Sequence, residues 1–212
     1  MTSRLLFEQI PGLTDYRIAH AHQLTLREAV ARGDAPDTVL VLEHAPVITL
    51  GRKADPSHVV AAPERLAELS IDRLAVDRGG DVTYHGPGQM VAYPILNLNH
   101  WKPSVGWYLR SLEQVVIDLV GDYGLAGERL EGFTGVWVDG AKVAAIGVGV
   151  HQWVTYHGLA LNVAPDMRHW ACIIPCGIAD KPVTSLRGLL GSAPPMAEVM
   201  DRFERHFRRV FA

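Results

Sequence analysis

The segment from Val136 to Ile146 constrains the fold more than any other part of the sequence. It contains an apolar strand pattern, the dipeptide Asp139-Gly140 and a second apolar strand pattern. Asp-Gly supplies the positive φ angles of a type I′ turn, so the segment predicts a β-hairpin. Such a hairpin joins antiparallel strands, whereas parallel strands need a long crossover connection. We therefore expect antiparallel pairing in the sheet.

The other predicted strands come in groups rather than in strict alternation with helices. Strand patterns cover residues 4–10, 39–42, 47–50, 89–98 and 153–163, and helix patterns cover 14–32, 63–69, 104–123 and 195–211. This order predicts an α+β fold in which a mixed, largely antiparallel sheet is covered by helices. Because no repeat or low-complexity linker divides the chain, we expect a single domain over residues 1–212.

Composition excludes several classes of protein. The chain has 20 basic and 23 acidic side chains, a balance that argues against a nucleic-acid binder with a strongly basic face. No window approaches the roughly 18 apolar residues of a membrane span, and the first residues lack the apolar core of a secretory signal. We expect a cytoplasmic protein without nucleic-acid or membrane partners, in which thiols stay reduced.

The sequence contains two cysteines, Cys172 and Cys176. A chain of this length buries roughly 70% of its unfolded surface, so neither a disulfide nor a structural metal is needed for stability. Pro175 and Gly177 flank Cys176, a context that favours a turn presenting its sulfur to a cleft. Cys172 stands among apolar residues and is expected to fill space. A buried structural thiol remains the alternative for Cys176.

Neither a metal nor a nucleotide site is predicted. The CxxxC spacing lacks a second cysteine pair, and His20 and His22 would point to different faces of a helix. The segment Gly135–Lys142 superficially resembles a phosphate-binding loop, but Ala141 separates Gly140 from Lys142 and the segment is predicted to be a hairpin. We expect no metal and no cofactor.

A glycine-rich segment, Arg78–Gln89, lies between two apolar strand patterns. Glycine lets the backbone approach a ligand closely. An irregular surface loop is one interpretation, and the density of Arg, Asp, Thr, Tyr and His favours a binding loop.

These segments, taken with others in the same order, resemble the octanoyltransferases of lipoic-acid synthesis. The matching blocks are Glu43–Gly51, Arg78–Gln89, Gly135–Val138 with Lys142, Ala145–Gly147, His157–Val163, and Pro175–Ile178 with Val183–Leu186. The strings RGGDVTYHGPGQ and PCGI are highly specific. Ala45, where relatives often have proline, is a minor departure.

The resemblance implies the fold of biotin and lipoate protein ligases. It also implies transfer of an octanoyl group from acyl carrier protein to a lysine of lipoyl domains, in 2-oxoacid dehydrogenases and the glycine cleavage H protein, without a cofactor. Cys176 would be the acyl-thioester nucleophile, and Lys142 would lower its pKa and move protons. The implied substrate-binding residues are Arg78, Gly79, Gly80, Asp81, Val82, Thr83, Tyr84, His85, Ala145, Ile146, Gly147, Gly158, Leu159 and Ala160.

Elementary chemistry agrees with these implied roles. An unperturbed cysteine with a pKa of ~8.5 is only about 3% thiolate at pH 7. An ammonium group about 4 Å away stabilises the thiolate by on the order of 4 kcal/mol at an effective dielectric of about 20. Because forming an amide from a thioester is downhill, the reaction needs no ATP.

Three alternative functions remain open at this point. The first is an ATP-dependent lipoate or biotin protein ligase, which would form an adenylate. The second is a non-catalytic module that binds a lipoyl domain or an acyl group. The third is a cysteine hydrolase that uses His85 or His157 as base and water as acceptor.

Overall fold

The computed structural model describes residues 5–175 and 181–211. In chain order its strands and helices are β1 (Leu6–Thr14), α1 (Tyr16–Arg32), β2 (Thr38–His44), β3 (Val47–Leu50), α2 (Pro63–Glu68), β4 (Asp72–Ala75), β5 (Val82–His85), β6 (Gln89–Ile95), α3 (Val105–Gly121), β7 (Gly135–Val138), β8 (Ala141–His151), β9 (Val154–Asn162), α4 (Leu186–Leu190) and α5 (Met196–Val210). Short 3-10 turns lie at Pro56–His58, Leu98–His100 and Met167–Cys172.

The main sheet has the strand order β1-β2-β6-β9-β8-β7. Strand β1 runs parallel to β2, and all other neighbouring pairs in this sheet are antiparallel. The predicted hairpin is confirmed, because Asp139 and Gly140 connect β7 to β8 with φ angles of 51° and 74°. The predicted α+β fold with a mixed, largely antiparallel sheet is also confirmed.

Helices cover both faces of the main sheet. Strand β2 shows why, since Val39 and Val41 belong to the hydrophobic cluster under α3 and α5, whereas Leu40 and Leu42 belong to the cluster under α1. Alternate residues of a strand point to opposite faces, so an unbroken apolar strand needs cover on both sides. In the part of the chain that is described, no helix is long and apolar enough to cross a membrane.

Several predicted helix boundaries are confirmed by their caps. The Asp15 side chain accepts a hydrogen bond from the backbone of Arg17 at the start of α1, and Gly33 ends that helix with a φ of 78°. The Ser104 side chain caps α3 in the same way. Strand β1 continues to Thr14, beyond the predicted residues 4–10.

A second sheet has three strands in the order β4-β3-β5. It corrects the interpretation of residues 78–89 as a loop, because Val82–His85 form β5 and pair with β3. The run was missed since only four residues separate two glycine-containing turns. Strand β4 was not predicted either; it is largely exposed and is defined by its backbone pairing with β3.

The buried carboxylate of Glu113 ties the start of β7 to helix α3. It accepts hydrogen bonds from Arg110 at 2.7 Å, from Arg129 at 3.0 Å and from the backbone N–H of Gly135 at 3.2 Å. The Gly135 N–H is buried, so it depends on this carboxylate for a partner.

Replacing Glu113 by alanine is expected to lower the free energy of unfolding by about 3 kcal/mol, because it removes charge-assisted hydrogen bonds and leaves a buried N–H without an acceptor. Urea denaturation measures the change. The control is Glu68→Ala, which removes an exposed pair with Arg65 and should cost less than about 1 kcal/mol. Equal losses in the two variants would contradict this assignment.

Candidate active site

A cavity lies where β5, β8 and β9 meet the segment 78–81, and we call it the histidine-lined cavity. Of the residues that the resemblance implies as substrate-binding, all except Val82 and Tyr84 line it. They are Arg78, Gly79, Gly80, Asp81, Thr83, His85, Ala145, Ile146, Gly147, Gly158, Leu159 and Ala160. The fold thus brings three distant sequence blocks to one place.

Val82 and Tyr84 are the exceptions because successive side chains of β5 point to opposite faces of the sheet. Thr83 and His85 face the cavity, whereas Val82 and Tyr84 face the hydrophobic cluster of the small sheet, beside Ile48. The Tyr84 hydroxyl is 2.7 Å from Nδ1 of His169. The structure therefore places these two side chains in the packing of the small sheet and not in the lining of the cavity.

Small side chains from β8 and β9 keep the cavity open. The cross-strand partners Ala145 with Ala160 and Gly147 with Gly158 lie side by side on one face. A Cβ on Gly147 would lie 2.9 Å from the carbonyl oxygen of Gly79, closer than side-chain carbons normally approach. This close approach requires glycine at 147. The N–H of Gly79 donates to the carbonyl of Val148 at 2.8 Å and holds the glycine-rich segment against β8.

Arg78 fixes that segment from the other side. Its buried guanidinium donates to the backbone oxygen of Thr49 at 2.7 Å, to the hydroxyl of Thr49 at 2.9 Å and to the carbonyl of Gly79 at 3.0 Å. The planar fork of arginine suits several acceptors at once. Arg78 therefore anchors the cavity wall to β3.

Three residues outside the implied substrate-binding set, Tyr16, Tyr93 and His157, also line the cavity. From the sequence, His157 is named only in a matching block and as the base of a hydrolase, and Tyr16 and Tyr93 are not named. The Tyr16 hydroxyl is 3.2 Å from Nδ1 of His157, whose Nε2 is 2.8 Å from the carboxylate of Asp77. Burial raises the pKa of Tyr16 to about 12 and lowers that of His157 to about 4. At neutral pH the imidazole is therefore uncharged, donating from Nε2 to Asp77 and accepting from Tyr16.

A further histidine approaches the same carboxylate. Nε2 of His20 lies 3.1 Å from the Asp77 oxygen that also contacts His157. Within residues 5–175 and 181–211, these three side chains form the group whose arrangement could hold a metal ion.

The pKa values of two other buried histidines predict how the free energy of unfolding depends on pH. Burial lowers the pKa of His44 to about 4 and that of His85 to about 3, so both are neutral in the folded protein. His44 donates from Nδ1 to the carbonyl of Thr14 and accepts at Nε2 from Tyr93, and protonation would remove that acceptor. The unfolded chain binds these protons near pH 6.5, the folded chain only below about 4.

The contribution that neutral His44 and His85 make to the free energy of unfolding is therefore fully present above about pH 6.5, and it is lost as the pH falls toward 4. The loss is on the order of 3 kcal/mol for His44 alone. Thermal unfolding between pH 7.5 and 4 measures it, and His44→Gln should flatten the dependence whatever its effect at pH 7.5. A slope unchanged by that substitution would contradict the prediction.

A second cavity, of about 470 Å³, lies on the other side of the wall formed by Gly79–Asp81 and Ile146–Gly147. We call it the lysine-lined cavity because Lys53 and Lys142 line it, together with apolar side chains such as Leu109 and Phe133. The two cavities share this wall, so a substrate bound across it would contact both.

Lys142 is buried beside the lysine-lined cavity. The residue is only 8% exposed, and its ammonium nitrogen lies 4.9 Å from the centre of the Trp137 ring. A Cβ on Gly135 would lie 2.8 Å from Cε of Lys142, so the side chain passes over a position that requires glycine. A buried lysine bordering a cavity is typical of a functional site.

The backbone of Lys142 is also tied to the chain that follows the PCGI motif. Its N–H donates to the carbonyl of Pro182 at 2.8 Å, and its carbonyl accepts from Thr184 at 2.9 Å. On the other side of the motif, the N–H of Ile174 donates to the carbonyl of His58 at 2.8 Å, and the His58 ring contacts Asp81. Cys176 itself lies outside the described residues, which resume at 181.

Cys172 behaves as expected for a space-filling thiol. It is buried in the cluster of the small sheet with Trp170 and Ile173, and burial raises its pKa. A raised thiol pKa disfavours the nucleophilic thiolate.

Residues 15–208 match the family described as the lipoyl protein ligase A/B catalytic domain. Similar solved structures include the putative lipoate protein ligase Ta0514 of T. acidophilum, with a TM-score of 0.73, 14% identity and coverage of 100% of this chain and 85% of that one. Another is the biotin protein ligase of Aquifex aeolicus, with a TM-score of 0.53, 12% identity and coverage of 99% and 69%. These likenesses show the fold shared with lipoate and biotin protein ligases.

Two relatives are close in sequence. An octanoyltransferase of Chloroflexus aggregans is 53% identical over 194 residues, covering 90% of this chain and 88% of the relative. An octanoyltransferase of Solibacter usitatus is 49% identical over 199 residues, covering 92% and 90%. The chain belongs to the octanoyltransferase family and is an acyltransferase of lipoate biosynthesis.

Proposed function

We propose that the enzyme takes its octanoyl group from acyl carrier protein, holds it as a thioester on Cys176, and transfers it to a lysine of lipoyl domains. Its acceptors would be the lipoyl domains of 2-oxoacid dehydrogenases and the glycine cleavage H protein, in the cytoplasm. The observation that carries the proposal is the placement of Lys142. It lines the lysine-lined cavity, and its backbone N–H donates to the carbonyl of Pro182, six positions after Cys176.

The first half-reaction forms the acyl-enzyme. The Lys142 ammonium stabilises the Cys176 thiolate, which attacks the carbonyl carbon of the octanoyl thioester. The bond between that carbon and the sulfur of the carrier then breaks. Lys142 gives its proton to the leaving thiolate, so the carrier departs as a thiol and Lys142 becomes neutral.

The second half-reaction forms the amide. The acceptor lysine arrives as a neutral amine and attacks the carbonyl carbon of the Cys176 thioester. Neutral Lys142 takes the proton that this nitrogen must lose, and Cys176 leaves as a thiolate. The ion pair between Lys142 and Cys176 is restored, and no ATP is consumed.

The octanoyl chain would enter the histidine-lined cavity, whose floor of Ala145, Ala160, Gly147 and Gly158 presents no bulky side chain to it. Ala145→Leu fills part of this floor. If three methylene groups are excluded at about 0.8 kcal/mol each, kcat/KM for octanoyl thioester falls about fiftyfold. The rate with butyryl thioester, measured in the same variant, should change by less than about threefold, and equal losses with both donors would contradict the assignment.

A transfer assay separates this function from the ligase alternative. Purified enzyme, octanoyl-acyl carrier protein and a lipoyl domain are mixed without ATP, and the mass of the lipoyl domain is followed. We expect one octanoyl group per domain, on a single lysine. Modification that requires free octanoate and ATP, with release of pyrophosphate, would contradict the proposal. Release of free octanoate without an acceptor would instead favour a hydrolase.

A further inference from the structure

We propose that His20, Asp77 and His157 form a binding site for a divalent transition-metal ion of the Zn²⁺ class, at the edge of the histidine-lined cavity. The proposal concerns metal binding and does not depend on the octanoyl-transfer mechanism. His20 and His22 lie two positions apart on one helix and do not share a face, so the sequence indicates no metal site there. The fold instead places His20 beside Asp77 and His157.

The ligand atoms are already close together. Oδ1 of Asp77 lies 2.8 Å from Nε2 of His157 and 3.1 Å from Nε2 of His20, and the three atoms lie within 4.8 Å of one another. Ligand atoms around a tetrahedral zinc are about 3.3 Å apart, since each bond is about 2.0–2.1 Å long. The rings of His20 and His157 are stacked with their centres 5.0 Å apart, so a tilt of the partly exposed His20 ring would bring the two nitrogens into range.

A second layer of hydrogen bonds holds two of the three ligands. The Tyr16 hydroxyl contacts Nδ1 of His157 at 3.2 Å, and the Tyr156 hydroxyl donates to the other oxygen of Asp77 at 2.8 Å. Such contacts to the remote atom of a ligand orient it and raise metal affinity. With a metal on Nε2, His157 would carry its proton on Nδ1 and donate it to Tyr16.

The backbone of His157 also supports a built site. This residue has a φ of 54° inside strand β9, a conformation that is uncommon for a residue other than glycine. Its ring is buried, whereas the Asp77 side chain is 42% exposed. Three protein ligands with one side open to solvent leave a fourth position for water, as in zinc sites that keep an open coordination position.

Isothermal titration with Zn²⁺ and visible absorption with Co²⁺ test the proposal, both in a Cys176→Ala background so that the thiolate does not compete for metal. We expect one Zn²⁺ per chain and a Co²⁺ spectrum of tetrahedral type. His20→Gln should weaken binding at least about tenfold while retaining a side chain that can donate a hydrogen bond to Asp77.

The matched control is His22→Gln, two positions along the same helix and half-exposed beside Glu8. It should leave Zn²⁺ affinity unchanged. Absence of stoichiometric binding, or equal weakening in the two variants, would overturn the site. Circular dichroism of each variant verifies that a loss of binding does not come from unfolding.

Discussion

Replacing Cys176 by alanine is expected to reduce octanoyl transfer at least about ten-thousandfold, to near the uncatalysed rate. The proposed reaction passes through a covalent intermediate on this sulfur, so its removal abolishes both half-reactions rather than weakening one. Serine at the same position should be almost as inactive, because its hydroxyl is far less acidic than a thiol. Octanoylation of a lipoyl domain, followed by mass spectrometry, measures the loss.

Cys172→Ala is the matched control for this substitution. Cys172 is buried beside Trp170, and its raised pKa keeps it a thiol. We expect kcat within about threefold of the unsubstituted enzyme and a loss of unfolding free energy of about 1 kcal/mol, from the small cavity left behind. Retained activity in Cys176→Ala, or loss confined to Cys172→Ala, would contradict the assignment of the nucleophile.

The second large effect is expected at Lys142. Lys142→Ala removes both the positive charge that favours the thiolate and the group that moves protons, so kcat should fall about a thousandfold. Lys142→Arg keeps the charge but cannot release a proton at neutral pH. It should retain thiolate formation and lose turnover, which separates the two roles.

Alkylation of the thiol with iodoacetamide across a pH series reports the thiolate directly. Alkylation of Cys176 in Lys142→Ala should require a higher pH, near that of an ordinary thiol with a pKa of about 8.5, than in the unsubstituted enzyme. Lys102→Ala serves as the control, because this exposed lysine lines neither cavity. An identical alkylation profile in the enzyme with and without Lys142 would contradict the electrostatic role.

The predicted features of the fold that the structure confirms are those determined by residues close together in the sequence. The Asp139-Gly140 turn acts through the backbone within a few positions, so the sequence alone indicates it. Strand β4 was missed because only its pairing with β3 defines it, and such pairing depends on distant chain.

The candidate site also combines residues that neighbouring sequence identifies with residues that only the folded chain brings together. The motif resemblance named most of the residues that line the cavity. It also named Val82 and Tyr84, whose side chains face the cluster of the small sheet, because a motif does not show which strand residues point to which face. Tyr16 could not be predicted, since it meets His157 across 141 positions of sequence. Asp77 was missed for the same reason, although it stands next to the recognised motif.

Intact-mass measurement of the enzyme after incubation with octanoyl-acyl carrier protein, without an acceptor, tests the central claim most directly. The account predicts a gain of about 126 Da that hydroxylamine removes, located on Cys176 by peptide mapping and absent from Cys176→Ala. It also predicts that adding a lipoyl domain discharges the adduct with formation of the octanoylated domain. An adduct confined to Cys172, or full transfer activity with no adduct on the enzyme, would contradict a mechanism through Cys176.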